Sequence, residues 1–462
     1  MFSHRANGNL PPMNLLALVL GLLPWAATPV SAFTSVYLAC GLLSIEAQLV
    51  TVTRRGSIDG LLPLNVAIAV ALTVWRVRAQ TPAWRWVAPT RRAIPLPTVG
   101  ALLVVVTALN LWRPVQAADA YQLERVLQIE RSGSLAYSLD IDAKANIVGA
   151  FYELTLADIQ SMPVVGPWLV RLHGVGGIFL LCLAVAAARS WLPVSNSPWA
   201  SAVVFLLPVT FHQLVMIKND LFAGAPALVA LAWVVGARDR ADAKTLVWAA
   251  WLAGLVMAGK LTNAAVAVVV ATSGFVRERR LVSLVPVGAG IAGGLITGGL
   301  LLTLWQNATV YGDPFAAAQV EAIGSVNRSV PEAVVGFGRF LVSLVDMSVV
   351  TREIWSGRGG WGGAFGLPLL WALVVLGVAC GERALARWAL VAGGVGLLAL
   401  GITFPDADIS HRLALGPGLL LVAAGASVAS DAKRAWMMQT LKVVVLLSTL
   451  QIARSAVLYA VR

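Results

Sequence analysis

Charged residues are scarce in this sequence. Asp, Glu, Lys and Arg make up 12% of the 462 residues, whereas soluble domains usually carry about a quarter. Hydrophobic residues account for 58% of the chain. This balance excludes an ordinary water-soluble domain, and we therefore expect an integral membrane protein.

Cysteine is also rare, which excludes a disulfide framework. Cys40, Cys182 and Cys380 all lie within apolar runs, and their spacing fits neither paired bridges nor a metal site. We interpret them as packing residues. The sequence leaves the cofactor unknown, because it neither requires nor excludes a divalent metal ion.

The long apolar runs lack the alternation of polar and apolar residues that is typical of a transmembrane β-barrel. Residues 164–188, 200–215 and 221–235 approach or reach the roughly 20 apolar residues that cross a bilayer as a helix. The sequence thus predicts an all-α, polytopic transmembrane helix bundle of about 10–12 spans.

Acidic residues are fewer than basic ones, 22 against 34, and this excess could suggest a nucleic-acid partner. The cations, however, form short clusters between the apolar runs. That distribution is typical of the cytoplasmic loops of membrane proteins. We therefore expect membrane lipids, and no nucleic acid, as partners.

The charge clusters also predict which segments face outward. Placing the arginines of 76–92 in the cytoplasm makes 94–111 an outward span and 116–163 a large first outer loop. A second outer loop is expected at 307–366. On this basis the chain divides into N-terminal membrane helices of open topology (1–93), a main transmembrane catalytic module (94–435) and a last helix (436–462).

The N-terminal region does not follow the charge rule. Residues 13–32 resemble a signal peptide, but a further apolar run follows at once, so we expect a retained helix. If residues 61–75 form a full span, Arg54 and Arg55 lie opposite the 76–92 cluster, against the rule. This run has only fifteen residues, so a re-entrant or interfacial helix is the alternative.

The topology predicted from the charge clusters places acid and base groups of distant segments at the outer face: Asp119, Asp220, Lys260, Asp406, Asp408, His411 and Arg412. A carboxylate at the end of a span is suited to take a proton from a hydroxyl. Lys260 and Arg412, near the headgroup level, are suited to bind a phosphate. These features together predict transfer from a phosphate-activated lipid.

The competing interpretation is that these charges are interfacial anchors, since long charged side chains reach water cheaply from span ends. Lys260 fits the anchor interpretation least well. It is the only charged residue within the apolar stretch 245–276, which we expect to be a helical pair with the lysine at its outer break.

The order of short motifs resembles the GT-C superfamily of membrane glycosyltransferases, which includes protein O-mannosyltransferases and the lipid A aminoarabinose transferases. The matching segments are DAYQLERV from Asp119, QIERSGSL from Gln128, FYEL from Phe151, KNDLF around Asp220, GLVMAGKLT around Lys260, YGDPF from Tyr311 and HRLALGP from His411. Two departures occur in the first loop: Gln122 stands where a histidine is frequent, and residues 148–149 replace a proline pair.

The resemblance implies roles for particular residues. Asp119 would be the catalytic base, and Asp220 would orient the acceptor or, in metal-using relatives, bind a divalent ion. Lys260 and Arg412 would hold the phosphate of the donor. The remaining loop candidates for acceptor binding are Tyr121, Glu153 and His411.

The function so predicted is an inverting glycosyltransferase. It would move a sugar from a polyprenyl-phosphate donor to a lipid, glycan or protein acceptor at the outer, periplasmic face of a bacterial plasma membrane. Two functional alternatives remain at this stage, beside a structural or assembly role without catalysis. One is a transporter or flippase of lipid-linked glycans, and the other is an O-antigen-type polysaccharide polymerase, because the second outer loop carries four arginines.

Overall fold

A computed structural model describes most of the chain. It covers residues 13–22, 29–78, 94–112, 120–138, 151–162, 166–191, 197–215, 219–236, 243–260, 263–264, 267–269, 284–316, 330–345, 365–403, 414–431 and 435–461. Asp119, His411 and Arg412 lie outside these residues. Tyr121 lies within them for its backbone only.

Within this part the chain is helical and has no strand, as the apolar runs predict. Nineteen α-helices and one 3-10 helix (Ile58–Leu61) are described. In chain order the α-helices are α1 Asn14–Leu22, α2 Pro29–Thr53, α3 Leu62–Arg78, α4 Leu96–Trp112, α5 Ala120–Ser132, α6 Phe151–Gln160, α7 Gly166–Arg171, α8 His173–Trp191, α9 Pro198–Phe205, α10 Pro208–Val215, α11 Asp220–Gly236, α12 Ala243–Gly259, α13 Leu284–Thr297, α14 Leu300–Tyr311, α15 Val330–Val345, α16 Leu367–Ala379, α17 Ala384–Thr403, α18 Leu415–Asp431 and α19 Ala435–Val461.

Several helices are long and apolar enough to cross a membrane. By length and composition there are four in the described chain: Ala32–Thr53, Ile58–Arg78, Ala384–Gly401 and Ala435–Val461. There are up to six if the pairs α9 with α10 (bent by 55°) and α13 with α14 (bent by 61°) are each one span. The expected 10–12 spans would also require shorter apolar helices of 10–17 residues to cross, and that count stays a prediction.

Contacts between helix ends show how the helices run. Lys260, directly after α12, pairs with Asp220 at the start of α11, so these two helices are antiparallel. Gly416, next to the start of α18, packs against Gly224 near the start of α11. We call this end of the bundle, where α11 and α18 begin and α12 ends, the site end.

Further helices meet at the site end. The Asn110 side chain near the end of α4 donates to the Leu214 carbonyl near the end of α10, at 3.2 Å. That carbonyl also packs against Gly174 near the start of α8. At the opposite end Ala188 of α8 clusters with Leu228 of α11. These directions agree with the alternation of inward and outward helices that the charge clusters predict.

The structure also gives a direction to the N-terminal helices. The Leu15 amide of α1 donates to the Asp158 carboxylate of α6 at 2.9 Å, and the Ile58 amide donates to the Gly133 carbonyl at 2.9 Å. Both α1 and α3 therefore begin beside the loop helices α5 and α6. By length and composition the 21 residues Ile58–Arg78 could cross a membrane, and the choice between a full span and a re-entrant or interfacial helix stays a prediction.

Small residues bring α12 and α13 into close, parallel contact. A Cβ atom built on Gly254 would lie 2.5 Å from the Ile291 carbonyl oxygen, and one on Gly294 would lie 2.3 Å from the Trp251 carbonyl oxygen. Gly290 and Gly294, four residues apart on α13, both face α12. Such a pair permits close approach between helices in lipid, where dispersion contacts replace the hydrophobic effect. This contact fixes α13 against the helix that carries Lys260.

We expect Gly294→Leu to destabilise the protein, because its side chain must displace the Trp251 backbone. Overpacking of this kind costs about 1–3 kcal/mol. Gly288→Leu on the same helix is the matched control, since nothing lies within 4 Å of the Cβ position there. Thermal unfolding in detergent measures the difference. Equal unfolding temperatures for the two variants would show that the helices are not in close contact.

Candidate functional site

The candidate site lies where the loop helices α5 and α6 meet the ends of α11 and α12. Asp220 lies in the first turn of α11, where the helix dipole stabilises a negative charge. Its side chain is buried and forms an ion pair with Lys260, whose side chain remains 13% exposed. Lys260 lies immediately after α12, with its amide still bonded to the Val256 carbonyl at 3.2 Å. The prediction that the helix breaks at this lysine is confirmed.

A buried carboxylate continues the cluster. The side-chain Nδ2 of Asn219 donates to Glu153 Oε1 at 3.4 Å, and Lys260 Nζ donates to Asn219 Oδ1 at 3.5 Å. Burial raises the pKa of Glu153 from 4.5 to about 7, while the charges of Arg125 and Lys260 act in the opposite direction. Glu153 is therefore poised to exchange a proton near neutral pH.

Arg125 of α5 is a buried cation near Glu153. Burial lowers its pKa to about 10, and the nearby Glu153 counteracts that effect. Its guanidinium donates to Gln128 Oε1 at 2.7 Å and to the carbonyls of Leu135 and Ala136 at 3.0 and 3.1 Å. Arg125 thus holds residues 133–138, which we call the strap, against α5.

The strap in turn contacts two other helices. The Leu135 amide donates to Thr51 Oγ1 of α2 at 2.8 Å, and the Gln306 side chain of α14 donates to the Leu135 carbonyl at 3.1 Å. The rings of Tyr137 and Tyr311 meet edge to face. Through these contacts the first expected outer loop is joined to the beginning of the second.

Several buried polar atoms at the site have no hydrogen-bond partner within the described chain. They are Glu153 Oε2, Asp220 Oδ2, Asn263 Oδ1 and both amide atoms of Gln122. Buried polar groups in folded proteins are nearly always satisfied, so such a group of atoms indicates water or a ligand. Four of the five are oxygen acceptors, and their complement is a ligand with several hydroxyl donors.

Asn263 lies beside the ion pair, and Gln122 lies on the same helix as Arg125. The backbone N–H of Asn263 donates to the Lys260 carbonyl at 2.9 Å. A Cβ atom built on Gly416 would lie 3.0 Å from the side-chain Oδ1 of Asn263. Gln122 precedes Arg125 by three residues, so both lie on one face of α5. The start of α18 therefore also borders the site.

The structure brings together three of the residues that the sequence predicts: Glu153, Asp220 and Lys260. It shows Lys260 and Asp220 as partners of each other, although the sequence assigned them separate ligands. Arg125 and Asn219 were quoted in the motifs without a role. The signal for Arg125 was its one-turn spacing from Gln122, but only tertiary contacts show that both are buried.

The described residues include no group of three or more His, Cys, Asp or Glu side chains that could hold a metal ion. Asp220 is the only carboxylate for which the resemblance implied such a role, and its described partner is a lysine.

No protein-family model matches the chain, and no curated protein or solved structure matches it either. The likeness to GT-C glycosyltransferases therefore stays a prediction that rests on the motifs.

The raised pKa of Glu153 predicts a pH-dependent stability. The folded protein binds this proton more tightly than the unfolded chain, so ionisation destabilises the fold as the pH rises from 4.5 to about 7. Across this pH range the ionisation of Glu153 lowers the free energy of unfolding by about 3 kcal/mol. We expect Glu153→Gln, which keeps the acceptor for Asn219, to remove this part of the pH dependence. Unfolding of both proteins across this range measures it, and parallel profiles would contradict the assignment.

Proposed function

We propose that this protein is a membrane glycosyltransferase of GT-C type. It would transfer a sugar, with inversion, from a polyprenyl-phosphate donor to a lipid, glycan or protein acceptor at the outer face of a bacterial plasma membrane. The observation that carries the proposal is the buried cluster at the site end, which combines the Lys260–Asp220 ion pair with unsatisfied oxygen acceptors.

Each part of the cluster suits one part of such a substrate. Lys260 is the more exposed member of the ion pair and lies at the end of an apolar helix, where the phosphate of a lipid substrate would arrive. The acceptor oxygens of Glu153, Asp220 and Asn263 suit the hydroxyl groups of a sugar. A site for an apolar ligand would not leave these atoms unsatisfied, because burying them without partners is costly.

The proposed reaction forms one bond and breaks one. The acceptor oxygen attacks the anomeric carbon, the bond from that carbon to the phosphate oxygen breaks, and the electron pair remains on the departing phosphate. Asp119 would take the acceptor proton, and Arg412 would assist Lys260 in stabilising the phosphate charge. Lys260 must then exchange Asp220 for the phosphate, which frees Asp220 to accept a hydrogen bond from a substrate hydroxyl.

The contacts favour this function over a transporter. Transporter sites usually lie near the bilayer midplane in interrupted helices, between internal repeats. The described cluster instead lies where helices end and loop helices begin. The polymerase alternative depends on arginines of 307–366, of which the described chain contains Arg339, an exposed residue of α15.

Replacing Lys260 by Met tests the site directly. We expect a loss of transfer of about 10²–10³-fold, the usual effect of removing one group that stabilises transition-state charge. Lys244→Met is the matched control, because Lys244 is an exposed lysine at the other end of the same helix. The assay uses protein in liposomes with a set of polyprenyl-phosphate sugars radiolabelled in the lipid, together with candidate lipid, glycan and protein acceptors, and measures the polyprenyl phosphate released. Equal activity of the two variants would refute the role of Lys260.

Asp119→Asn tests the proposed base. Because the amide cannot accept the proton, we expect transfer to fall severely while donor binding persists. Donor binding and release of polyprenyl phosphate are measured on the same inserted protein, with Asp59→Asn as the control. Full retention of polyprenyl phosphate release by Asp119→Asn would exclude this residue as the base.

A further inference from the structure

The helix α15 exposes an apolar stripe that no described part of the chain covers. Val334 and Val342 are 65% and 66% exposed, and Val335 and Leu341 lie in the same stripe. Leu341 follows Val334 by seven residues, and Val342 follows Val335 by seven. Residues at this spacing lie on one face of a helix. Gly338 lies within the stripe, and nothing is within 4 Å of its Cβ position.

The other two sides of α15 differ from this stripe. Phe340 and Leu344 are buried on the packed side, where Phe337 also contacts the core. Glu332 and Arg339, also seven residues apart, form an exposed polar edge. A helix with a packed side, an exposed apolar side and a polar edge is suited to a boundary between lipid and water.

Contacts with two other helices indicate how α15 is oriented. Phe337 packs on Gly401 at the end of the candidate span Ala384–Gly401. Seven residues later, the Leu344 carbonyl accepts from the amides of Phe365 and Gly366, directly before α16. These contacts are about 10 Å apart along the helix. Because α15 contacts the end of one apolar helix and the residues directly before another, both contacts lie at one end of the bundle.

The end that α15 follows is the site end. The ring of Phe365 packs against Gly418 of α18, and Gly416 of the same helix contacts Asn263 beside the ion pair. The chain of contacts from α15 to Lys260 thus passes through one helix. An apolar stripe at the site end of the bundle would lie in water unless acyl chains cover it.

We propose that α15 is an interfacial helix that lies in the lipid leaflet at the site end. Val334, Val335, Leu341 and Val342 contact acyl chains, and Glu332 and Arg339 face the headgroups and water. This placement depends on the packing of α15 and does not require glycosyltransferase activity. The proposed occupant of the stripe is lipid, because the stripe lies at the end of a bundle whose candidate spans also expose large apolar side chains.

Labelling of one introduced cysteine at a time tests the placement of α15 in the leaflet. Cys380 is replaced by Ser, and Cys40 and Cys182 are buried. An environment-sensitive fluorophore is then attached at 334, 335, 341 or 342, with 339 as the matched control. In phosphatidylcholine liposomes we expect brominated acyl chains to quench the four stripe positions several-fold more than position 339, and aqueous iodide to show the reverse order.

The depth profile separates the alternatives. Lipids brominated at successive carbons should quench all four stripe positions at one shallow depth. A depth that increases steadily from 334 to 342 would show a membrane-crossing helix and overturn the proposal. Strong iodide quenching of the stripe, or protection that depends on protein density and accompanies cysteine cross-links between copies, would also overturn it.

Discussion

The buried ion pair between Lys260 and Asp220 is the interaction on which the site end depends. An unpaired ammonium at the end of an apolar helix would be costly, and pairing with a carboxylate reduces that cost if the geometry is close. The pair requires the end of α12 and the start of α11 to meet, and Gly259 permits this by packing against Ala223. The positions of Asn219 and Asn263 follow from it.

The loop helix α6 is fixed from two sides. Near its start, Glu153 accepts from Asn219 beside the ion pair. Five residues later, Asp158 accepts from the Leu15 amide at 2.9 Å and from the Asn14 side chain at 3.1 Å. Asn65 extends this second network to Glu46 of α2. The N-terminal helices therefore position the site, although the sequence offered no function for them.

The predictions from sequence succeeded where composition and charge dominate. The helical class follows from apolar runs that lack alternation, and the break at Lys260 follows from one charge in a long apolar stretch. The ion pair was not predicted, because residues forty positions apart show no pattern in the sequence. The burial of Arg125 and Gln122 was also missed, since α5 alone resembles a solvated loop helix until α6 and the strap cover it.

Composition and local pattern were enough to predict a helical chain that is apolar enough for a membrane, since these properties are sums over residues and their neighbours. The sidedness that the charge clusters indicate stays a prediction. The polar groups that meet became visible only in the packed helices, because their meeting depends on close packing through small residues such as Gly254 and Gly294. The tertiary structure also decided that α3 begins at the site end despite Arg54 and Arg55. The backbone contact of Ile58 with Gly133 fixes that position.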